Sequence, residues 1–276
     1  MDAKAPTNGH LIEIDDVSLR YGEGKGSPLA LDGTTLQISE GEFISIVGPS
    51  GCGKSTIVKL VSGLIPVTRG RMVVDQQPVT GPLSIVGIAF QNPVMLPWLN
   101  TIDNVLLPLK IVRPHRNDFR QRKEEYRERA QALLKVVGLD DFEHTYPWQL
   151  SGGMRQRASL CRALVHDPRL LLLDEPFASL DAFTREELWG VLQDLWLEKK
   201  PTIIMITHDL REAVYLSEKV YVMSARPGSI LYERDIDFDR PRHLDITFDD
   251  AFVDLAQDLR KYIQLGRDKT AIEGSS

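Results

Sequence analysis

The sequence predicts an α/β protein with a parallel central sheet, and three observations carry that expectation. Short, unbroken apolar runs, "FISIV" at 43–47, "LLLL" at 170–173 and "TIIMIT" at 202–207, have the composition of strands covered on both faces. Segments of helical periodicity separate them, as the long connections between parallel strands require. "LIEIDDVSLRY" at 11–21 instead alternates apolar and polar residues, which predicts a half-buried strand in an N-terminal antiparallel β-subdomain.

Composition bounds the function classes. The chain has 276 residues, of which 42% are hydrophobic, enough to bury a core. A net charge of −6 argues against a protein that wraps nucleic acid through a basic face. Cys52 and Cys161 are the only cysteines and form no CxxC pair, so neither a disulfide framework nor a zinc site is expected, and a reducing cytosol fits best. The opening "MDAKAPTNGH" has no apolar segment of the signal-peptide kind. No run approaches the roughly 18 apolar residues of a membrane span, so any service to a membrane is expected to pass through a partner.

Taken in order, residues 1–10 read as a flexible N-terminus, and "GEGKGSP" after the first strand as a loop or hairpin. "FISIV" runs into a glycine-rich loop and the helix "TIVKLVSGL". From about 92 to 165 the chain is first proline-punctuated and then charged, which predicts an inserted α-helical subdomain. Within it Tyr126, Ala130, Leu133, Leu134 and Val137 share one helical stripe, Gly138 is a stop, and the charge run Arg120 to Arg129 is the solvated face. "LLLL" and "TIIMIT" follow, then a helix, a strand pair at "KVYVM" and "SILYERDI", and a short C-terminal helical extension over 236–276 around "AFVDLAQDLRKYIQL".

Chemistry concentrates at the ends of the predicted strands. "GPSGCGKST" matches the phosphate-loop pattern G-x-x-x-x-G-K-[ST] in its required strand–loop–helix setting. Gly48, Pro49, Ser50, Gly51, Cys52 and Gly53 would turn backbone N–H groups toward phosphate oxygens, with Thr56 in the first helical turn. Lys54 would reach the terminal phosphates and Ser55 would ligate magnesium. Asp174 and Glu175 end the "LLLLDEP" strand, the first placed to hold magnesium through water, the second to polarise an attacking water. His208 ends "TIIMIT" at the sheet edge where ligands of open α/β folds bind. Gln91 ends "IVGIAF" with an amide able to touch both metal and water, and Tyr21 offers a ring to a flat base. Taken alone, paired acids also fit a helix cap, His208 a satisfied hydrogen bonder, Gln91 a loop amide and Tyr21 a core residue.

"QLSGGMRQR" at 149–157 has the serine, the glycines and the helix start of an anion site but neither a leading strand nor a lysine. Together with "GPSGCGKST", Gln91, "LLLLDEP", "SLD" and "THD" it closely resembles the nucleotide-binding subunits of ABC transporters, over residues 11 to about 235. The resemblance implies the ABC ATPase fold on a P-loop NTPase core, with ATP and Mg2+ bound between two chains in a head-to-tail homodimer. It implies that Ser151, Gly152, Gly153 and Gln156 face the partner chain's ATP, and that Ser179, Leu180 and Asp181 couple the two sites. Ser55, Gln91 and Asp174 would hold magnesium, Glu175 would be the catalytic base, and His208 the γ-phosphate switch.

A finer resemblance, carried by "FQNPVMLPWLNTIDNVLLPL" and "EAVYLSEKVYVMSARPGSI", is to importers of nitrate, sulfonates, taurine and related solutes. It implies integral-membrane permease subunits as partners, an extracytoplasmic solute-binding protein met indirectly, and a peripheral location on the cytoplasmic face of the plasma membrane. Met95, Leu96, Trp98 and Leu99 would then dock a permease helix or, alternatively, pack within the helical subdomain. The rival readings are an exporter or lipid-extraction ATPase and an ABC ATPase of nucleic-acid metabolism. The latter class adds a coiled coil or a second ATPase unit, which this sequence does not have. A regulatory interface formed by Trp98 and the C-terminal helix is a further expectation.

Overall fold

The structure, a computed structural model, describes residues 9–22 and 26–273, with side chains to residue 267. Residues 1–8 and 23–25, on which most of the expected flexible N-terminus and part of the "GEGKGSP" loop fall, lie outside the described residues. The elements follow in chain order. β1 (His10–Arg20), β2 (Leu29–Ser39) and β3 (Phe43–Val47) lead to α1 (Lys54–Val61), β4 (Arg69–Val74), β5 (Gln77–Pro78) and β6 (Val86–Ala89). Helices α2 (Thr101–Val105), α3 (Leu107–Ile111), α4 (His115–Asp118), α5 (Lys123–Val136) and α6 (Gly152–Leu164) come next, followed by β7 (Leu170–Asp174) and α7 (Ala182–Lys199). The chain finishes with β8 (Thr202–Ile206), α8 (Leu210–Leu216), β9 (Lys219–Met223), β10 (Ile230–Asp235) and α9 (Asp250–Glu273).

These elements cluster into two compact units, one made of residues 1–83 and 200–276, the other of 84–199. In the first, β1 pairs antiparallel with both β2 and β4. From Gly33 to Ile38 β2 alternates exposed and buried residues, the pattern of a sheet with one wet face. β3 and β8 are parallel, β3 and β9 are parallel, and β10 closes antiparallel on β9. Every residue of β3 and of β8 is buried, which is why both read as unbroken apolar runs. α1 leaves β3 through the glycine loop, and α8 leaves β8 through Thr207, His208 and Asp209.

In the second unit β6 and β7 pair in parallel, and β7 is buried throughout. α5 buries Tyr126, Ala130 and Leu134, with Val137 buried just beyond it, and the chain turns at Gly138 with φ +66°. That bears out the stripe and the stop, although Leu133 is only half-buried. Asn104, fully buried, donates from Nδ2 to the carbonyls of Leu96, Leu99 and Asn100 and accepts at Oδ1 from Leu96 N–H, so it fixes the loop after β6.

The segment after β10 is more than a loose extension. Arg242, 3% exposed, donates from Nη1 to the carbonyls of Val214, Tyr215 and Ser217, and from Nη2 to those of Ile236 and Phe238. Tyr215 Oη donates back to the Arg242 carbonyl at 2.6 Å, and Arg240 Nη2 donates to Leu216 O at 2.6 Å. Together these side chains satisfy the C-terminal carbonyls of α8 that a helix end leaves without partners.

Candidate nucleotide site

The first unit holds the phosphate loop. Gly53 is the N-cap of α1 at φ +107°, and a Cβ added there would lie 2.8 Å from Leu31 Cδ2 and 2.9 Å from Ala30 O, so only glycine fits. Ser50 and Gly51 form the exposed crest, while Lys54 is 7% exposed. Lys54 Nζ donates to Gly48 O at 2.9 Å and Pro49 O at 2.8 Å, so the loop's own carbonyls hold the buried ammonium across its mouth. Cys52 packs 1% exposed below the crest; burial raises its thiol pKa against the opposing pull of Lys54, which keeps it protonated and inert.

Tyr21 stands just past β1, 40% exposed, and its hydroxyl is 3.1 Å from Thr56 Oγ1 in the first turn of α1. The ring is thus moored to the phosphate-loop helix with enough surface free to stack on a base, instead of packing in the core. His208 is exposed on a short, tied segment. Asp209 N–H donates to Thr207 Oγ1 at 3.0 Å, and the Asp209 carboxylate caps α8 by accepting from Arg211 N–H at 2.9 Å and Glu212 N–H at 3.4 Å. Buried Glu212 accepts from Thr207 Oγ1, closing the segment from below.

The second unit brings together the acids and Gln91. Asp174 ends β7 and is 6% exposed. Glu175 follows in the left-handed region at φ +48°, a conformation costly for a glutamate and typical of residues held for function. Gln91 Nε2 donates to Glu175 Oε2 at 2.8 Å, so the two residues separated by 84 positions form one pair. The sequence offered no sign of that contact or of the backbone strain. In the first unit the Ser55 hydroxyl is an oxygen donor of the kind a hard cation such as magnesium takes, and the buried Lys54 ammonium suits phosphate; in the second unit Gln91 and Asp174 carry oxygen donors of the same kind.

The signature segment folds as its sequence suggests. Ser151 is the N-cap of α6, its Oγ accepting from Met154 N–H at 3.2 Å. Ser151 and Gly152 are exposed, and a Cβ on Gly152 would meet nothing within 4 Å. Gly153 instead lies close against its neighbours, since a Cβ there would lie 2.9 Å from Leu180 Cδ2 and 3.6 Å from Ser179 O. The start of α6 therefore rests on the Ser179–Asp181 segment. Asp181 caps α7, accepting from Thr184 N–H at 3.0 Å and from Thr184 Oγ1 at 2.7 Å, bonds that lower its carboxyl pKa.

One expectation is corrected. Gln156 does not lie on the exposed face with Ser151 and Gly152: it is 2% exposed, and its Nε2 points to Phe90 O at 3.5 Å. It shares a helical stripe with buried Ser159, Leu160 and Ala163, a periodicity that would have placed it inside. Of the two readings open for the loop after β6, Met95 takes the packed one, being 8% exposed, while Trp98 at 69% and Val94 at 66% carry exposed apolar surface.

Residues 31–178 match the ABC transporter family. The chain belongs to that family. It is 40% identical over 220 residues to the aliphatic sulfonates import ATP-binding protein of Bacillus cereus, covering 79% of this chain and 83% of the relative. It is 40% identical over 247 residues to the nitrate import ATP-binding protein of Synechococcus elongatus, covering 89% and 88%. Among solved structures, the ATP-binding cassette MJ0796, in a dimeric post-hydrolysis state bound to ADP and Pi, superposes with a TM-score of 0.72 at 31% identity, covering 83% of this chain and all of that one. The chain is thus an ABC ATPase, and its fold is that of the family's cassettes. No helix among the described residues is long and apolar enough to cross a membrane.

Proposed function

We propose that this ABC ATPase works as a homodimer beneath a membrane permease and powers uptake of a small anion of the sulfonate or nitrate class. The observation that carries the dimer is the exposed start of α6. Ser151 and Gly152 present a capped helix N-terminus with no lysine of their own, a surface suited to phosphate already held by another chain's loop. The names of the sulfonate and nitrate relatives support import and the class of solute. Exposed Val94 and Trp98 on the fixed loop after β6 support a permease contact. The chain would sit at the cytoplasmic face of the membrane, and a solute-binding protein would meet only the permease.

In this reading the loop from Gly48 to Thr56 binds the phosphates of ATP, Lys54 swings from its carbonyls to the terminal phosphate, and Tyr21 stacks on the base. Ser55, Gln91 and Asp174 would hold magnesium, which when bound would offset charge on the phosphate oxygens. Glu175 takes a proton from the attacking water, Gln91 holds that carboxylate in place, and His208 donates a hydrogen bond to the terminal phosphate. Binding closes the dimer and hydrolysis reopens it, which drives alternating access in the permease. A strain lacking this chain should fail to grow on an alkanesulfonate as the only sulfur source, or on nitrate as the only nitrogen source, while growing normally on sulfate and ammonium. Normal growth in both tests would remove the proposed solute class.

A further inference from the structure

Helix α6 grips the loop after β6 at two points. Arg162 Nη1 donates to Val94 O at 2.7 Å, and Gln156 Nε2 reaches Phe90 O, the carbonyl immediately before Gln91. Gln156 is costly where it stands. Its side chain is 2% exposed, its single contact is long at 3.5 Å, and its Oε1 is buried with no hydrogen-bond partner among the described residues. An apolar side chain of the same shape would remove that orphaned oxygen and stabilise the fold. Stability therefore does not account for an amide at this position. What the amide does reach is the backbone that aims Gln91 at Glu175.

We propose that Gln156 is a positioning residue for ATP hydrolysis: it ties the backbone at Phe90 to the signature helix and so holds Gln91 against Glu175. The proposal rests on the roles assigned to Gln91 and Glu175 above. It makes α6 a bar with two functional ends, its capped N-terminus presented outward and its inner face fixing the catalytic pair of its own chain.

The test is a double-mutant cycle on the full-length protein, with kcat and KM for Mg-ATP and the thermal midpoint measured for each form. Gln156→Leu should lower kcat about tenfold, leave KM within about twofold and leave the midpoint unchanged or higher. Gln156→Met should do the same, which separates loss of the amide from a change of shape and serves if the leucine form does not fold. In a Gln91→Ala background Gln156→Leu should cost nothing further, because the group it positions is gone. Normal kcat in both Gln156 variants, or losses that multiply in the double mutant, would overturn the proposal while leaving the site roles intact. Normal kcat in both Gln91→Ala and Glu175→Gln would overturn the site roles themselves, and the proposal with them.

Discussion

Glu175 combines three properties at one position: a left-handed backbone at φ +48°, a carboxylate oxygen accepting from Gln91 at 2.8 Å, and a place directly after buried Asp174. Strain at a residue is tolerated where its surroundings over-determine it, and here the end of β7 and the Gln91 contact do so. A glutamine at 175 keeps an oxygen for that hydrogen bond but has no carboxylate to accept a proton. Glu175→Gln should therefore lower single-turnover ATP hydrolysis by about 100-fold or more while leaving nucleotide binding within a few-fold. Hydrolysis near the unmodified rate would show that the carboxylate is not the base.

At the scale of elements, the buried strands and the phosphate-loop helix were legible because their signals are local. β3, β7 and β8 are buried end to end and so read as apolar runs, and the loop before α1 needs glycine where only glycine fits. Ser151 was legible for the same reason, a cap being decided within four residues. What was not legible is decided by distant chain. Met95 is buried on a loop whose neighbouring backbone Asn104 holds, and Glu175 meets Gln91 only once β6 and β7 are paired. Arg242 sits in an unremarkable polar stretch, yet it caps α8 from 25 or more residues away. Burial lowers its pKa from the usual arginine range, and Arg240 adds to that, so the carbonyls around it must hold a costly charge in place. Arg242→Ala should cost about 3 kcal/mol in urea unfolding, with Arg242→Lys recovering only part because an ammonium lacks the planar fork. An unchanged midpoint would contradict this clamp. Ending the chain after Asp235 removes Arg242 as well, so such a truncation would unfold α8's end before it could report on regulation.

In the whole molecule the two anion-seeking surfaces serve a division of labour between chains. The phosphate loop with Lys54 and the exposed N-terminus of α6 are both anion-seeking surfaces, and the glycine segment at the second carries no lysine. The resemblance read from sequence implies that the second surface completes a partner's site, and the similar MJ0796 cassette was solved as a dimer. The measurement that tests this most directly is the molar mass in solution of the Glu175→Gln form, by light scattering after size exclusion, with Mg-ATP and with Mg-ADP. The expected mass is twice 31.1 kDa with ATP and that of a single chain with ADP, and adding Ser151→Arg should return the ATP-bound protein to a single chain that still binds nucleotide. A single chain under ATP, or a dimer indifferent to Ser151→Arg, would contradict it.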